Sequence, residues 1–196
     1  MSHDDLFRLI LLGIFFAFVP FALYHRIRSK TDEKLDRWQE GMFILFGLRL
    51  GALPWFCGSL AWMVNPEWMA WSSVPIPIGV RWLGLVLIGS WGVLLVWTFR
   101  NLGKNLTDTV VTRREHSLVT SGPYRYVRHP FYLAFFVAVL GGSTVPANWF
   151  VLLAGLIPSA FLIARTQIEE EKLIERFGDQ YRDYMTRTGR FLPRLR

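Results

Sequence analysis

The sequence predicts an all-α integral membrane protein with five transmembrane helices, the last two paired as a hairpin, followed by a cytosolic C-terminal helix. Three observations predict it. The 196 residues are 52% hydrophobic and only 19% charged, against about 25% charged in an ordinary soluble domain. The apolar residues are gathered into long stretches rather than spread at helical or strand periods. The basic residues are confined almost entirely to alternate connecting segments. The length suits one compact unit, and the 16 Phe and nine Trp favour lipid and its interfaces.

A membrane-spanning helix needs about 20 apolar residues. Leu9 to Tyr24 carries no charge and follows Asp4, Asp5 and Arg8. It lacks a basic leading region and a small-residue cleavage site, and so reads as a retained span rather than a signal peptide. Met42 to Val64 is the second span, interrupted by Arg49. Trp82 to Phe99 is the third, with Gly84, Gly89 and Gly92 offering surfaces for close helix approach. From Phe131 to Ala164 there is no charge. One helix of that length would run about 50 Å, too long for a bilayer. The cluster from Gly141 to Asn148 supplies the break, and a tight hairpin with two short legs results. Its small residues, among them Gly141, Gly155 and Ser159, leave room for a gap between the legs.

Charge placement agrees with five spans. Segments 25–41, 100–130 and 165–196 hold five, six and eight basic residues, 19 of the 22 in the chain. Positive charge concentrated on one side marks the cytosolic face, which puts the N-terminus outside and the C-terminus in the cytosol. A pI near 10 then reflects topology and anionic headgroups rather than nucleic acid. Trp55, Trp62, Trp68, Trp71 and Trp82 read as an aromatic belt at the outer ends of the second and third spans. A single cysteine, Cys57, excludes an internal disulfide and a cysteine-based metal cluster, and its apolar surroundings suggest a packed thiol. No metal site is expected. Residues 1–99 form an N-terminal three-helix membrane region, and 100–196 hold the polar residues able to do chemistry.

That chemistry-bearing material lies in two stretches. The first runs from Asn101 to Tyr132 and contains His116-x-Leu118-Val119, Gly122-x-Tyr124 and Arg128-His129-Pro130-x-Tyr132. The second runs from Arg165 through Glu169-Glu170-Glu171 to Phe177-Gly178-x-x-Tyr181. A hairpin that leaves and re-enters one face of the membrane brings them together. Pro130 suits the first turn of a helix, where no amide donor is needed. The bland reading has His129 capping that helix, Arg128 on lipid phosphate, and Tyr124, Tyr126 and Tyr132 as interfacial anchors. If the last span continues as a helix, Arg165 and Glu169 share one face a turn apart, and Glu170 is rotated by about 100°. Three adjacent carboxylates cannot make one contact, so at least one faces solvent. Ionisable groups at this depth pair with one another or line a wet cavity. An Arg165–Glu169 ion pair and a ligand site are both open readings.

At these residues the chain resembles the isoprenylcysteine carboxyl methyltransferase family and the related membrane phospholipid methyltransferases. The motifs quoted above, with Glu169-Glu170-Glu171-x-Leu173 and Phe177-Gly178-x-x-Tyr181-x-x-Tyr184, occur in the family's order over about residues 100–193. The resemblance implies a pocket for S-adenosylmethionine without a Rossmann sheet, closed by a cofactor-binding loop and the C-terminal helix. It implies that His116, Leu118, Val119, Tyr124, His129, Pro130 and Tyr132 surround the cofactor and that Glu169 holds its polar end. Arg165 would face the substrate, and Glu170 is a second acidic candidate able to take a proton. Thr109 is a possible counterpart of a further family residue upstream. The implied activity is methyl transfer to a membrane-associated or lipophilic acceptor, a carboxylate or thiol ranking above a phospholipid amine. The implied partners are that acceptor and membrane lipids, with no nucleic acid. Two other classes compete: an NADPH-dependent sterol-type reductase relative, and a non-catalytic membrane scaffold of the same fold.

Overall fold

The computed structural model describes residues 3–28, 42–102 and 117–194. Six α-helices follow in chain order: α1 (His3–Arg28), α2 (Met42–Val64), α3 (Ile78–Leu102), α4 (Pro130–Thr144), α5 (Trp149–Phe177) and α6 (Asp179–Arg187). Short 3-10 helices, Pro66–Ser72 and Gly122–Arg125, precede α3 and α4 respectively. Helices α1, α2, α3 and α5 are each long and apolar enough to cross a membrane. The 15-residue α4 is about 22 Å long, short of a hydrocarbon core of about 30 Å. Among the described residues, four such helices stand where five spans were expected.

Residue contacts define the arrangement. Helix α4 lies between α3 and α5, and α5 packs along α2. Helix α1 runs beside α3, with Phe18 against Trp91 and Phe21 against Phe99. Phe7, Trp62, Met63, Met69, Val145 and Val151 form a buried cluster joining α1, α2, the first 3-10 helix and the start of α5. One end of the bundle therefore carries this cluster and the α4–α5 connection. The other carries the 117–129 loop and the far part of α5.

The α4–α5 connection is narrower than the Gly141–Asn148 break expected from sequence, because Gly141, Gly142, Ser143 and Thr144 all belong to α4. The reason is packing. A Cβ on Gly141 would lie 2.9 Å from the Gly84 carbonyl oxygen, and one on Gly84 would lie 2.9 Å from the Val145 nitrogen. Glycine at both positions lets α3 and α4 touch backbone to backbone. Gly92 similarly accepts the Phe18 ring, whereas Gly89 has nothing within 4 Å and makes no close approach. Gly155 is filled by Val139 and Trp55, so at this position the small residue seats an aromatic ring instead of opening a gap. Trp55 and the buried Trp62 thus depart from the aromatic belt, while Trp68, Trp71 and Trp82 remain exposed. Cys57 is exposed rather than packed, because it shares the outward stripe of α2 with Leu53 and Phe56.

Asn148 ties this end together. Its Oδ1 accepts from the Val151 amide as the cap of α5, and its Nδ2 donates to the Met69 carbonyl and to Ser72 Oγ. Asn148→Ala removes all three bonds in a buried setting. We expect it to lower stability by about 1–2 kcal/mol, read as a lower unfolding midpoint in detergent. Arg81 adds a second tie, donating to the Val145 carbonyl at 2.7 Å and pairing with Asp4.

Candidate active site

At the opposite end, the segment from Ser117 to His129 delivers its polar residues to the start of α4. Gly122 has φ +60° and sits so close to Asn101 that a side chain there would collide with it, which pins the loop to the end of α3. His129 occupies the N-cap position of α4, but its side chain makes no capping bond; the ring turns instead toward α5. Helix α5 runs unbroken past the apolar region to Phe177 and carries Arg165 and the three glutamates. At Gly178, φ +56° reverses the chain into α6, whose Tyr181 and Tyr184 are buried. The Tyr184 hydroxyl donates to the Tyr124 carbonyl at 2.6 Å. Burial pushes the Tyr184 phenol up to about 12, so it stays a neutral donor. Tyr124 is raised as well, chiefly by burial and then by the charge of Glu169.

After α6 a strap returns over the loop. Val127 and Gly189 form a parallel bridge. The Arg128 amide donates to the Gly189 carbonyl at 2.9 Å, and the His129 amide to the Arg190 carbonyl at 3.1 Å. Phe191 packs between His129 and Phe136, its centroid 5.9 and 5.3 Å from theirs.

The two expected acidic residues occupy opposite environments. Glu170 has a side chain only 4% exposed, yet both of its oxygens are engaged. Arg128 Nε donates to Oε1 at 2.8 Å, His129 Nε2 lies 3.1 Å from the same oxygen, and Arg190 donates to Oε2. Arg128 also donates to the Met185 and Thr188 carbonyls. Arg128 is therefore not on lipid phosphate: the nearly buried carboxylate gives it a stronger partner inside the protein. Glu169 is 28% exposed, accepts from the Tyr132 hydroxyl at 2.7 Å, and has His129 Nδ1 at 3.8 Å. Among the described residues no arginine or lysine pairs with it. His129 and Tyr132 stack nearly parallel, 5.4 Å apart with 8° between planes. Glu171 is exposed.

The structure thus brings together Tyr124, His129, Pro130, Tyr132, Glu169 and Glu170. Arg165 is half-buried one turn before Glu169 and one turn beyond Phe161, whose ring packs over Gly47 of α2. Leu118 and Val119 are half-buried in the extended segment before the second 3-10 helix. His116 and Thr109 lie outside the described residues. Sequence reasoning missed Arg128, Arg190 and Phe191. The adjacency of Arg128 to His129 was the available signal for the first; nothing local marked the other two.

A profile of the isoprenylcysteine carboxyl methyltransferase (ICMT) family matches residues 82–175, from α3 through the glutamate-bearing turns of α5. Over that stretch the chain is similar to the ICMT family. The Protein-S-isoprenylcysteine O-methyltransferase of Schizosaccharomyces pombe is 36% identical over 94 residues, covering 46% of this chain and 40% of that protein. The Methanethiol S-methyltransferase of Pseudomonas deceptionensis is 32% identical over 123 residues, 59% of this chain and 44% of that protein. The chain spans less than half the length of these two relatives. The solved structure of the eukaryotic intramembrane Ras methyltransferase ICMT superposes with a TM-score of 0.56, covering 88% of this chain and 63% of that one at 21% identity. The fold is shared with that intramembrane protein, and among the described residues four helices are long and apolar enough to cross a membrane.

Proposed function

We propose that this chain transfers a methyl group from S-adenosylmethionine to a lipophilic or small acceptor, with a carboxylate or thiol preferred. Residues 100–196 carry the chemistry on the cytosolic side, and residues 1–99 frame it in the membrane. One observation supports the reading: of two adjacent glutamates, Glu170 is saturated by arginines, while Glu169 is partly exposed beside an aromatic stack, with no arginine or lysine paired to it among the described residues. A carboxylate so placed fits the cationic end of a ligand, and the flat His129–Tyr132 pair fits a planar or sulfonium-bearing one. The donor set suits S-adenosylmethionine, which when bound supplies a methyl carbon activated by its sulfonium.

The chain's own residues have a restricted task. Tyr132 fixes the Glu169 carboxylate so that it meets the ligand's positive end. Arg165 orients an acceptor carboxylate, for which a guanidinium fork is suited. Glu169 and the His129–Tyr132 pair would hold S-adenosylmethionine, whose methyl carbon goes to the acceptor oxygen or sulfur while the electron pair of the broken carbon–sulfur bond stays on the donor sulfur. A carboxylate needs no proton removed, and a thiol releases its proton to solvent. Glu170, with both oxygens occupied, is poorly placed to act as base. Alignment and exclusion of water then supply the rate.

The test is an assay of the detergent-purified chain with radiolabelled methyl donor, offering a farnesylated cysteine, a small alkane thiol and phosphatidylethanolamine in parallel. Label is expected in one of the first two; absence of label in all three would overturn the reading. Arg165→Ala should lower turnover by about 100-fold or more and leave S-adenosylhomocysteine affinity, by calorimetry, within a factor of about three. Loss of that affinity would assign Arg165 to the cofactor instead.

A further inference from the structure

We propose that Arg190, on the strap that follows α6, is a positioning residue of the methyl-transfer site, acting through Glu170 on the His129 ring. The proposal rests on the functional reading above. Its geometric basis is that one residue clasps His129 twice. The Arg190 carbonyl accepts the His129 amide at 3.1 Å, and the Arg190 guanidinium takes Oε2 of the carboxylate whose Oε1 holds the His129 ring.

The division of the two oxygens gives the strap its leverage. Oε1 is shared by Arg128 and His129, and Oε2 goes to Arg190. Without Arg190, one buried oxygen loses its partner and the carboxylate is drawn toward Arg128, the remaining guanidinium. That rotation lengthens the Oε1 contact to His129 Nε2, which donates because a carboxylate only accepts. The ring is then free to leave its stack with Tyr132, the residue that orients Glu169. The perturbation thus travels from the strap to the ligand-facing carboxylate through four contacts. Partners one step removed from a functional histidine commonly set its orientation.

Charge balance supports the same assignment. Arg128 and Arg190 offset Glu169 and Glu170, leaving the cluster near neutral before any ligand arrives. Arg190 is also the cation of the pair that reaches solvent, with a side chain 38% exposed against 9% for Arg128. Its substitution should therefore spare the fold, since the strap is tied through backbone bonds that do not involve the side chain.

The experiment is a double-mutant cycle on the full chain in detergent, reading kcat, KM for S-adenosylmethionine, and the His129 imidazole resonances by 15N NMR. Arg190→Gln is expected to lower kcat by about tenfold with KM little changed and to shift the imidazole signals. Arg190→Lys, which keeps charge and donor, should recover most of both. In a Glu170→Gln background, Arg190→Gln should cause no further loss, because the two act in series. Wild-type kcat in Arg190→Gln, or additive losses in the cycle, would overturn the proposal. Should Arg190→Gln not yield folded protein, the double variant and Arg190→Lys decide: lysine failing to restore the imidazole signals refutes the role. If the wild type methylates no acceptor, the functional reading falls, while the NMR arm still tests the coupling of Arg190 to His129.

Discussion

Glu170→Leu should destabilise the protein by about 3–5 kcal/mol, the cost of leaving a buried charge without its partner, and is expected to be the most damaging single change in the described structure. Arg128 is nearly as inaccessible as Glu170, with side chains 9% and 4% exposed. It keeps bonds to two backbone carbonyls in the variant, but carbonyls do not neutralise it. The loss reaches three segments at once, since the start of α4, the far part of α5 and the strap after α6 meet at this one carboxylate. Glu170→Gln keeps an oxygen acceptor and should cost less. The measurement is the unfolding midpoint in detergent, followed with intrinsic tryptophan fluorescence. A midpoint for Glu170→Leu at or above that of the wild type would show that apolar packing replaces the ion cluster without loss.

The sequence made the large elements legible because a membrane helix is specified by length and composition, without reference to distant residues. The apolar runs before Tyr24 and from Met42 and Trp82 each lie inside a single helix, and the convergence of the Arg128–Tyr132 segment with the glutamate triplet followed from placing a turn between two apolar legs. The limits of α4 were less legible, because glycine is ambiguous: Gly141 could serve a turn or a close contact, and only the approach of α3 decides. The same holds for Arg128, which from sequence alone could meet lipid phosphate or a buried carboxylate. The roles within the triplet were illegible for a rotational reason. Adjacent helical positions point about 100° apart, so which glutamate meets the arginines depends on how α5 is turned about its axis. That turn is set by packing along α2 and α4, where Phe161 lies over Gly47 and Val139 against Gly155. Arg190 is 20 residues beyond Glu170, and it reaches the site because Gly178 reverses the chain and Tyr184 fastens α6 to the loop. No local pattern announces such a return.

Glu169→Gln should weaken binding of S-adenosylhomocysteine by a factor of roughly 10–100, the worth of about 1.5–3 kcal/mol for a hydrogen bond to a charged group. This demethylated product carries the ammonium but not the sulfonium, so the experiment isolates the carboxylate's contact with the amino-acid end. Glutamine preserves volume and an acceptor oxygen, and Tyr132 can still donate to it, so the wall formed with His129 should survive and any loss reflects charge. Two companions sharpen the result. Tyr132→Phe should cost only about 1 kcal/mol, because it removes the bond that orients the carboxylate while leaving the charge. Glu171→Gln, on the exposed face of the same turn, should bind as the wild type does. Calorimetry on these three purified variants and on Glu170→Gln gives the comparison. Equal affinity in Glu169→Gln and the wild type, with a loss in Glu170→Gln, would move the ligand contact to the carboxylate held by Arg128 and Arg190, and would require that cluster to open when ligand enters.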